Sequence, residues 1–353
     1  MADAARQPAA ASAWLEAWAA HVSSGEPRVA VVRDGATLLG VVPLAAQRSE
    51  AGLIRLRLLG AGTSTGVAPL ARPGEEVRVA AAAAQALSAG RADALHFDGI
   101  PATSPWPQLL AHHWPGARPR LLHRVSTSPE PYVTLDAGSY EAWLAARSSS
   151  FRGQVRKVRR RLDKRGVTMR RATDAQELAH DLRAFAALHR SRWDPEGGSA
   201  VLSPAVEAML LEAGPRLLRE GRLDVWSMEA DGDIVCSQVS LLSRGYATLW
   251  LQGYDQSWTD ARLSLACVAQ VIEDGFARGL ERISLGEGGQ AYKYRFADGE
   301  ESLAWTVLPL PGPRLGVVLA ALQGRRLKRA AGRRLGPERK AQVRRVLRRP
   351  TAG

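Results

Sequence analysis

Apolar positions along this chain recur at two spacings, and each change of spacing marks a new element. Ala13, Trp14, Ala17, Trp18 and His21 fall on one face of a short helix. Residues 28–33 and 37–45 read as strands joined at Asp34-Gly35, a dipeptide suited to a tight hairpin turn. Residues 53–59 alternate apolar and polar side chains, as a half-buried strand does. An Ala-rich helix over 75–89, a strand over 94–97 and a helix-plus-loop over 101–119 follow. Two further strands, 121–126 and 132–135, complete this half.

From Ser139 to Gly166 the residues Tyr140, Trp143, Leu144, Phe151, Val155, Val158 and Leu162 keep helical spacing, which predicts one or two helices between two domains. Beyond Gly166 the order is strand (167–171), helix (174–192), helix (204–219) and a hairpin (222–229 and 234–242) turning at Asp231-Gly232. Thr173 and Gln176 form a capping-box pattern, and Ser203-Pro204 an N-cap with proline at the first helical position. A strand (246–252), a helix (263–278), a strand (282–285), a Gly-rich turn and a last strand (303–308) close the region. Residues 28–44 and 222–241 share strand, Asp-Gly turn and small-residue strand, and both continue as strand, helix, strand. Five matching elements in succession predict a duplicated unit.

Composition refines the picture. The net charge of +13 resides in two places: residues 325–349 carry +11 and residues 152–165 carry +7, leaving −5 on the remainder. Charge therefore predicts a slightly acidic body with a basic helix and a basic tail, and nucleic acid is not the expected main partner. Two cysteines, Cys236 and Cys267, both in apolar stretches, give no disulfide scaffold or zinc site. A reducing, cytoplasmic setting is expected, since no window reaches about 18 consecutive apolar residues and the N-terminus lacks a signal-peptide pattern. The tail intersperses Val343, Val346 and Leu347 among arginines, compatible with an amphipathic helix on an anionic inner-membrane face or with a solvated, disordered segment.

The element order of the second half resembles the GNAT acyltransferase fold. Gly253-Tyr254-Asp255, the run from Val271 to Leu280, the Tyr292-Lys293-Tyr294-Arg295-Phe296 cluster, Phe151-Arg152 before the Arg-rich helix, and His189-Arg190-Ser191-Arg192-Trp193 resemble the CelD-like acetyltransferase branch. The resemblance implies an α/β fold with mixed sheets and two tandem GNAT-like domains joined by a basic helix. The expected division is an N-terminal degenerate domain (1–138), a basic linker (139–166), a catalytic domain (167–312) and a basic tail (313–353).

The resemblance implies acyl-coenzyme A as co-substrate and transfer, most simply of acetyl, to an amine or hydroxyl of a sugar, lipid or cell-surface precursor. Leu251, Gln252 and Gly253 offer a strand edge to the carrier's arm, and Arg262, Ser264 and Leu265 open a helix whose N-terminus suits a pyrophosphate. Ser264 stands where the family usually has glycine. Lys293, beside the Gly286-Glu287-Gly288-Gly289 turn, is expected to stabilise the charge that develops on the reacting carbonyl, as in FemAB-like relatives. Glu287 or Asp255 is the expected proton acceptor, Tyr292 the acid for the leaving group, and His189, Arg192 and Trp193 the acceptor wall. Metal chemistry is not expected: there is no Gly-x-Ser-x-Gly, His-Glu-x-x-His or Walker-type loop, and His112-His113 has no companion at ligand spacing. Two alternatives stand beside this reading. One is a FemAB-like transferase that takes its group from aminoacyl-tRNA held by the basic helix; the other is a catalytically silent scaffold that binds anionic membrane or nucleic acid.

Overall fold

The computed structural model describes residues 7–116 and 121–334, the last ten of these by backbone only. In the first half, helix α1 (Ser12–His21) precedes the hairpin β1 (Glu26–Asp34) and β2 (Thr37–Arg48), then β3 (Ile54–Leu58) and the short β4 (Leu70–Ala71). Helix α2 (Glu76–Ser88), β5 (Ala94–Pro101), helix α3 (Trp106–His113) and β6 (His123–Thr134) follow. Helices α4 (Tyr140–Ala145) and α5 (Ser149–Lys164) lead to β7 (Thr168–Arg171), α6 (Ala175–Trp193) and α7 (Pro204–Arg219). The chain then forms β8 (Leu223–Ala230), β9 (Asp233–Ser243), β10 (Tyr246–Tyr254), α8 (Leu263–Ala277), β11 (Arg282–Ser284), β12 (Gly299–Pro309) and α9 (Leu315–Arg334).

Among the described residues the strands form one mixed sheet in the order β1-β2-β3-β5-β12-β6-β11-β10-β9-β8-β7, with β4 on β2. Apart from β7, the order is palindromic about the β12–β6 pair. On each side an antiparallel hairpin is followed by a third antiparallel strand and then a parallel pair, β3 with β5 and β10 with β11. Each parallel pair is bridged by a helix, α2 or α8. The repeat read from the two hairpins is thus a structural one, and the fold is mixed α/β.

The halves exchange their last strands. β6, from the first half, pairs with β11, whereas β12, from the second, pairs with β5. Helix α1 also crosses: fully buried Trp14 and Trp18 share a cluster with Leu178, Phe185 and Leu210 of α6 and α7. A cut at residue 138 therefore separates sequence, while the sheet and this cluster run across it.

Several local features differ from the sequence reading. Residues 123–134 form one strand where two were expected. Pro129 and Pro131 pair only with β12, and β11 ends opposite Tyr132, so their missing N–H groups leave no sheet bond unmade on that side. Helix α6 is capped by Asp174, which accepts from the N–H groups of Gln176 and Glu177, and Glu177 reaches back to the N–H of Thr173 at 2.8 Å. The box is one residue later than the Thr173–Gln176 pattern, because a carboxylate at 174 accepts two bonds at once. Ser203 caps α7 with Pro204 inside its first turn, as expected.

Helix α5 buries Phe151, Val155, Val158 and Leu162 and exposes most of its cations. Its apolar face packs on the second half: Phe151 meets Phe296 edge to face at 4.9 Å, and Arg159 bonds Glu273 of α8 at 2.6 Å. Gly166, at φ 67°, ends it with Val167 N–H on Leu162 O. The tail begins as α9, which sets Val318 and Leu322 against Leu53, Ala94 and Val307. The expectation of an amphipathic or disordered segment around Val343, Val346 and Leu347 lies outside the described residues. No helix among the described residues is long and apolar enough to cross a membrane.

Candidate active site

The pairing of β10 with β11 lasts three residues, ending at Thr248 opposite Ser284, after which the strands diverge. Divergence follows from the sequence on both sides. Trp250 is skipped in the β10–β9 register, a bulge that twists the strand. Gly286 (φ 78°) turns the other chain away, and a Cβ there would lie 2.8 Å from Leu249 O. The chain after β11 is anchored elsewhere: the N–H groups of Leu285 and Gly288 bond the carbonyls of Pro131 and Pro129, both at 2.8 Å. The gap opens into a cleft of about 830 Å³ lined by both halves.

Lys293 enters this cleft from a 3-10 turn (Lys293–Arg295) held beneath by buried Phe296. It is 5% exposed. Its Nζ donates to the carbonyls of Gly286 (2.9 Å) and Glu287 (2.7 Å), which leaves one ammonium proton unassigned. Burial pulls its pKa down to about 8, against the opposing pull of Glu130 and Glu287. Glu130, on the exchanged strand β6, accepts from Ser284 Oγ at 2.8 Å; Ser284 Oγ accepts from Gly286 N–H at 3.1 Å. Burial holds the Glu130 carboxyl above its usual range. A chain of bonds thus runs from Glu130 through Ser284 and Gly286 to Lys293, and places the lysine at the mouth of the splay.

The opposite wall comes from the first half. Gly60, Gly62 and Gly66 take positive φ (84°, 85° and 79°) and fold residues 60–66 into a tight loop. Three tryptophans hold it. Trp18 Nε1 donates to Thr63 Oγ1 (3.0 Å), Trp14 Nε1 to Ser64 Oγ (3.3 Å) and Trp250 Nε1 to Thr63 O (2.7 Å). Trp14 and Trp250 meet edge to face at 5.2 Å. Asp98, from β5, and Trp305, from β12, complete this wall. Trp14 and Trp18 were read from sequence only as a helix face, and the others were not singled out, although Gly-Ala-Gly-Thr-Ser-Thr-Gly was visible there as a Gly- and hydroxyl-rich run.

Of the expected residues, the structure brings Lys293, Glu287, Tyr292, Leu251, Gln252, Ser264, His189, Arg192 and Trp193 to the cleft. Gly253, Asp255, Arg262 and Leu265 do not line it. Gly253 faces α6, where a Cβ would lie 2.7 Å from Phe185 O, so packing accounts for the glycine. The Asp255 carboxylate accepts from Ser257 N–H at 2.8 Å and caps the 3-10 segment Gln256–Ala261, outside the cleft lining. Arg262 is exposed at φ 56° and gives α8 no side-chain cap. Leu265 packs toward the cores beneath α8.

His189 is buried with both ring nitrogens occupied: Nδ1 donates to Gln252 O at 3.0 Å, which leaves Nε2 to accept from Ser199 Oγ at 3.0 Å. Burial, aided by Arg192, pushes its pKa below the usual histidine value, so it stays neutral and joins α6 to β10. Arg192 donates to Tyr254 Oη at 2.8 Å. Gln252 Nε2 is buried without a partner, a donor that awaits an acceptor in the cleft. Tyr292 is 52% exposed at the mouth. Among the described residues no group of three or more His, Cys, Asp or Glu could hold a metal ion.

The N-terminus of α8 is suited to an anion. Its first turn has no acidic residue, its N-cap has no side-chain bond, and Ser264 there lines the cleft. Above it the segment 256–261 is fastened to α5 by Arg161, paired with Asp260, and to the residue just past its end by Arg165, whose guanidinium lies 3.7 Å from the Trp258 ring centre.

Comparison with known proteins bears on the fold. Among solved structures, the chain is similar to FemX (10% identity over 87% of this chain and 93% of that one, TM-score 0.62). It is also similar to the C-terminal domain of a putative lysylphosphatidylglycerol synthetase from Agrobacterium fabrum (13%, 91% and 93%, TM-score 0.57). L-PGS from Bacillus licheniformis is a third such structure (13%, 89% and 95%, TM-score 0.54). At these identities the likeness is one of fold. No curated protein matches the sequence. Residues 149–294 match the family model described as "Acetyltransferase (GNAT) domain", a span that runs from α5 through Lys293.

Proposed function

We propose that the protein is a GNAT-type acyltransferase that moves an acyl group from an acyl-coenzyme A thioester to an amine or hydroxyl acceptor. The observation that carries this reading is Lys293: a buried ammonium, fixed by two carbonyls, with one proton free at the opening between β10 and β11. A cation held in a desolvated cleft stabilises negative charge on a carbonyl oxygen far better than one in water, with no reorganisation needed at the moment of reaction. The carrier supplies the activated carbonyl. The chain's own groups fit it: an uncapped helix N-terminus for phosphate, the unpaired Gln252 Nε2 for an amide oxygen, and Leu249 and Leu251 for an apolar arm. Glu287 at the cleft mouth takes the acceptor's proton, and Tyr292 gives one to the leaving group.

A second reading, transfer from aminoacyl-tRNA, has its own observation. Arg156, Lys157, Arg160 and Lys164 of α5 are exposed and make no ion pair among the described residues, next to the segment that leads into α8. That cationic face suits a polyanionic carrier. Single-turnover assays with acetyl-coenzyme A and with a pool of aminoacyl-tRNA separate the two. Lys293→Ala is expected to lower transfer about 100- to 1000-fold with either carrier while leaving carrier binding within a few fold. Unchanged turnover in Lys293→Ala, or no binding of either carrier by calorimetry, would sink the proposal.

A further inference from the structure

The two walls of the cleft differ in charge. The second half contributes Arg192, Lys293 and Glu287; the first contributes neutral hydroxyls and a single carboxylate, Asp98. Asp98 reaches the cleft because β5 is irregular there: the β12–β5 register skips Trp305, opposite Asp98-Gly99, and Gly99 adopts φ 66°. A Cβ on Gly99 would lie 2.9 Å from Thr65 Cγ2 and 3.1 Å from Trp305 Cζ2, so strand, loop and indole are fitted around this kink. Bulges of this kind re-aim a side chain. Asp98 Oδ2 accepts from Arg57 Nε at 3.0 Å, which fixes the carboxylate. Its side chain is 12% exposed, and Oδ1 has no partner among the described residues. Thr65, with Oγ1 likewise unbonded among the described residues, and Trp305 flank it.

We propose that Asp98 and Thr65 form the acceptor subsite and select a primary amine neighboured by hydroxyls, as in an amino sugar. The inference rests on the acyltransferase reading and names its acceptor. Asp98 Oδ1 accepts from the ammonium in the resting complex, Thr65 meets the adjoining hydroxyl, and the Trp305 face covers the apolar side of the ring. For transfer, the ammonium gives up one proton to Glu287 and the freed amine nitrogen bonds to the acyl carbon; the carbon–sulfur bond breaks, the sulfur leaves with a proton from Tyr292, and the nitrogen's second proton returns to Tyr292. Across the cleft Lys293 repels the cationic acceptor from the carbonyl's place, which keeps donor and acceptor on their own walls.

The experiment is calorimetric titration of the full chain with glucosamine, glucose and N-acetylglucosamine. Glucosamine is expected to bind about 10- to 100-fold tighter than the other two, the scale of one charge-assisted hydrogen bond. Asp98→Asn should abolish that discrimination, whereas Thr65→Val should weaken all three sugars and leave it intact. Equal binding of the three sugars by the wild-type chain overturns the proposal whether or not the variants fold, as does discrimination that survives in Asp98→Asn. Lys293→Ala separates this from the parent reading: it should keep the preference for the amine while losing transfer. A chain that prefers the amine but transfers from no carrier would refute the acyltransferase reading and spare the subsite.

Discussion

The parallel pair β3–β5 and the parallel pair β10–β11 are built alike and end differently. Each makes three residue pairs and then splays. In the first half the chain leaving β3 turns back into its own gap: Gly66 N–H bonds Gly99 O at 2.8 Å and Thr65 packs against Gly99. In the second half the chain leaving β10 runs on into the 3-10 segment and α8, and the gap stays open as the cleft. One splay is filled and its filling becomes the far wall of the other. The two copies of the unit have thus divided the work, and the exchange of β6 and β12 locks them into that arrangement.

The largest expected effect comes from removing what holds the filled splay in place. Trp14→Ala deletes a fully buried indole and its bond to Ser64. Denaturant unfolding should show a loss of about 3–5 kcal/mol. A loss below about 1 kcal/mol would mean that α1 is not part of the shared core.

Next in size is a paired test of the two gaps. Gly286→Ala forces a positive φ on a side chain and sets its Cβ against Leu249 O, whereas Gly66→Ala, at φ 79°, meets nothing within 4 Å. We expect the first to cost roughly 3 kcal/mol and the second about 1 kcal/mol, with transfer falling more in Gly286→Ala. Equal costs would show that the two splays are not distinguished by close approach.

The smallest effect is electrostatic. Lys293 titrates at about 8 in the folded chain, below its ordinary 10.5. Between those values the folded state binds fewer protons than the unfolded chain, so this group's contribution to stability rises with pH. Transfer that needs the ammonium falls over the same window. Glu130→Gln removes a charge that favours the ammonium, so the falling limb of kcat against pH should move to lower pH. A limb that stays in place or moves upward would show that Glu130 does not act on Lys293.

Much of this was legible in the sequence because it is local. Helical spacing located α5 and α6, Asp-Gly turns located both hairpins, and the Tyr292–Phe296 cluster pointed at Lys293. What was not legible depended on distant pairing. Asp255 and Gly253 were good chemical candidates, yet a cap bond to Ser257 and the backbone of α6 claim them. Asp98 and Trp305 went unnoticed because nothing near them in sequence marks a site, and Thr65 because its Gly- and hydroxyl-rich run reads locally as a turn. Two strands were expected where one continues through Pro129 and Pro131, since a missing N–H matters only if a neighbouring strand needs it.

The sequence by itself determined most of the elements and the duplicated unit, because periodicity, turn chemistry and capping act over a few residues, while Lys293 was pointed to by the family resemblance. Only the tertiary structure decided which splay would stay open and which residues from the first half would face Lys293. Those outcomes come from contacts between residues some 190 to 200 positions apart, such as Trp250 on Thr63 and Leu303 on Pro101, which no local pattern encodes.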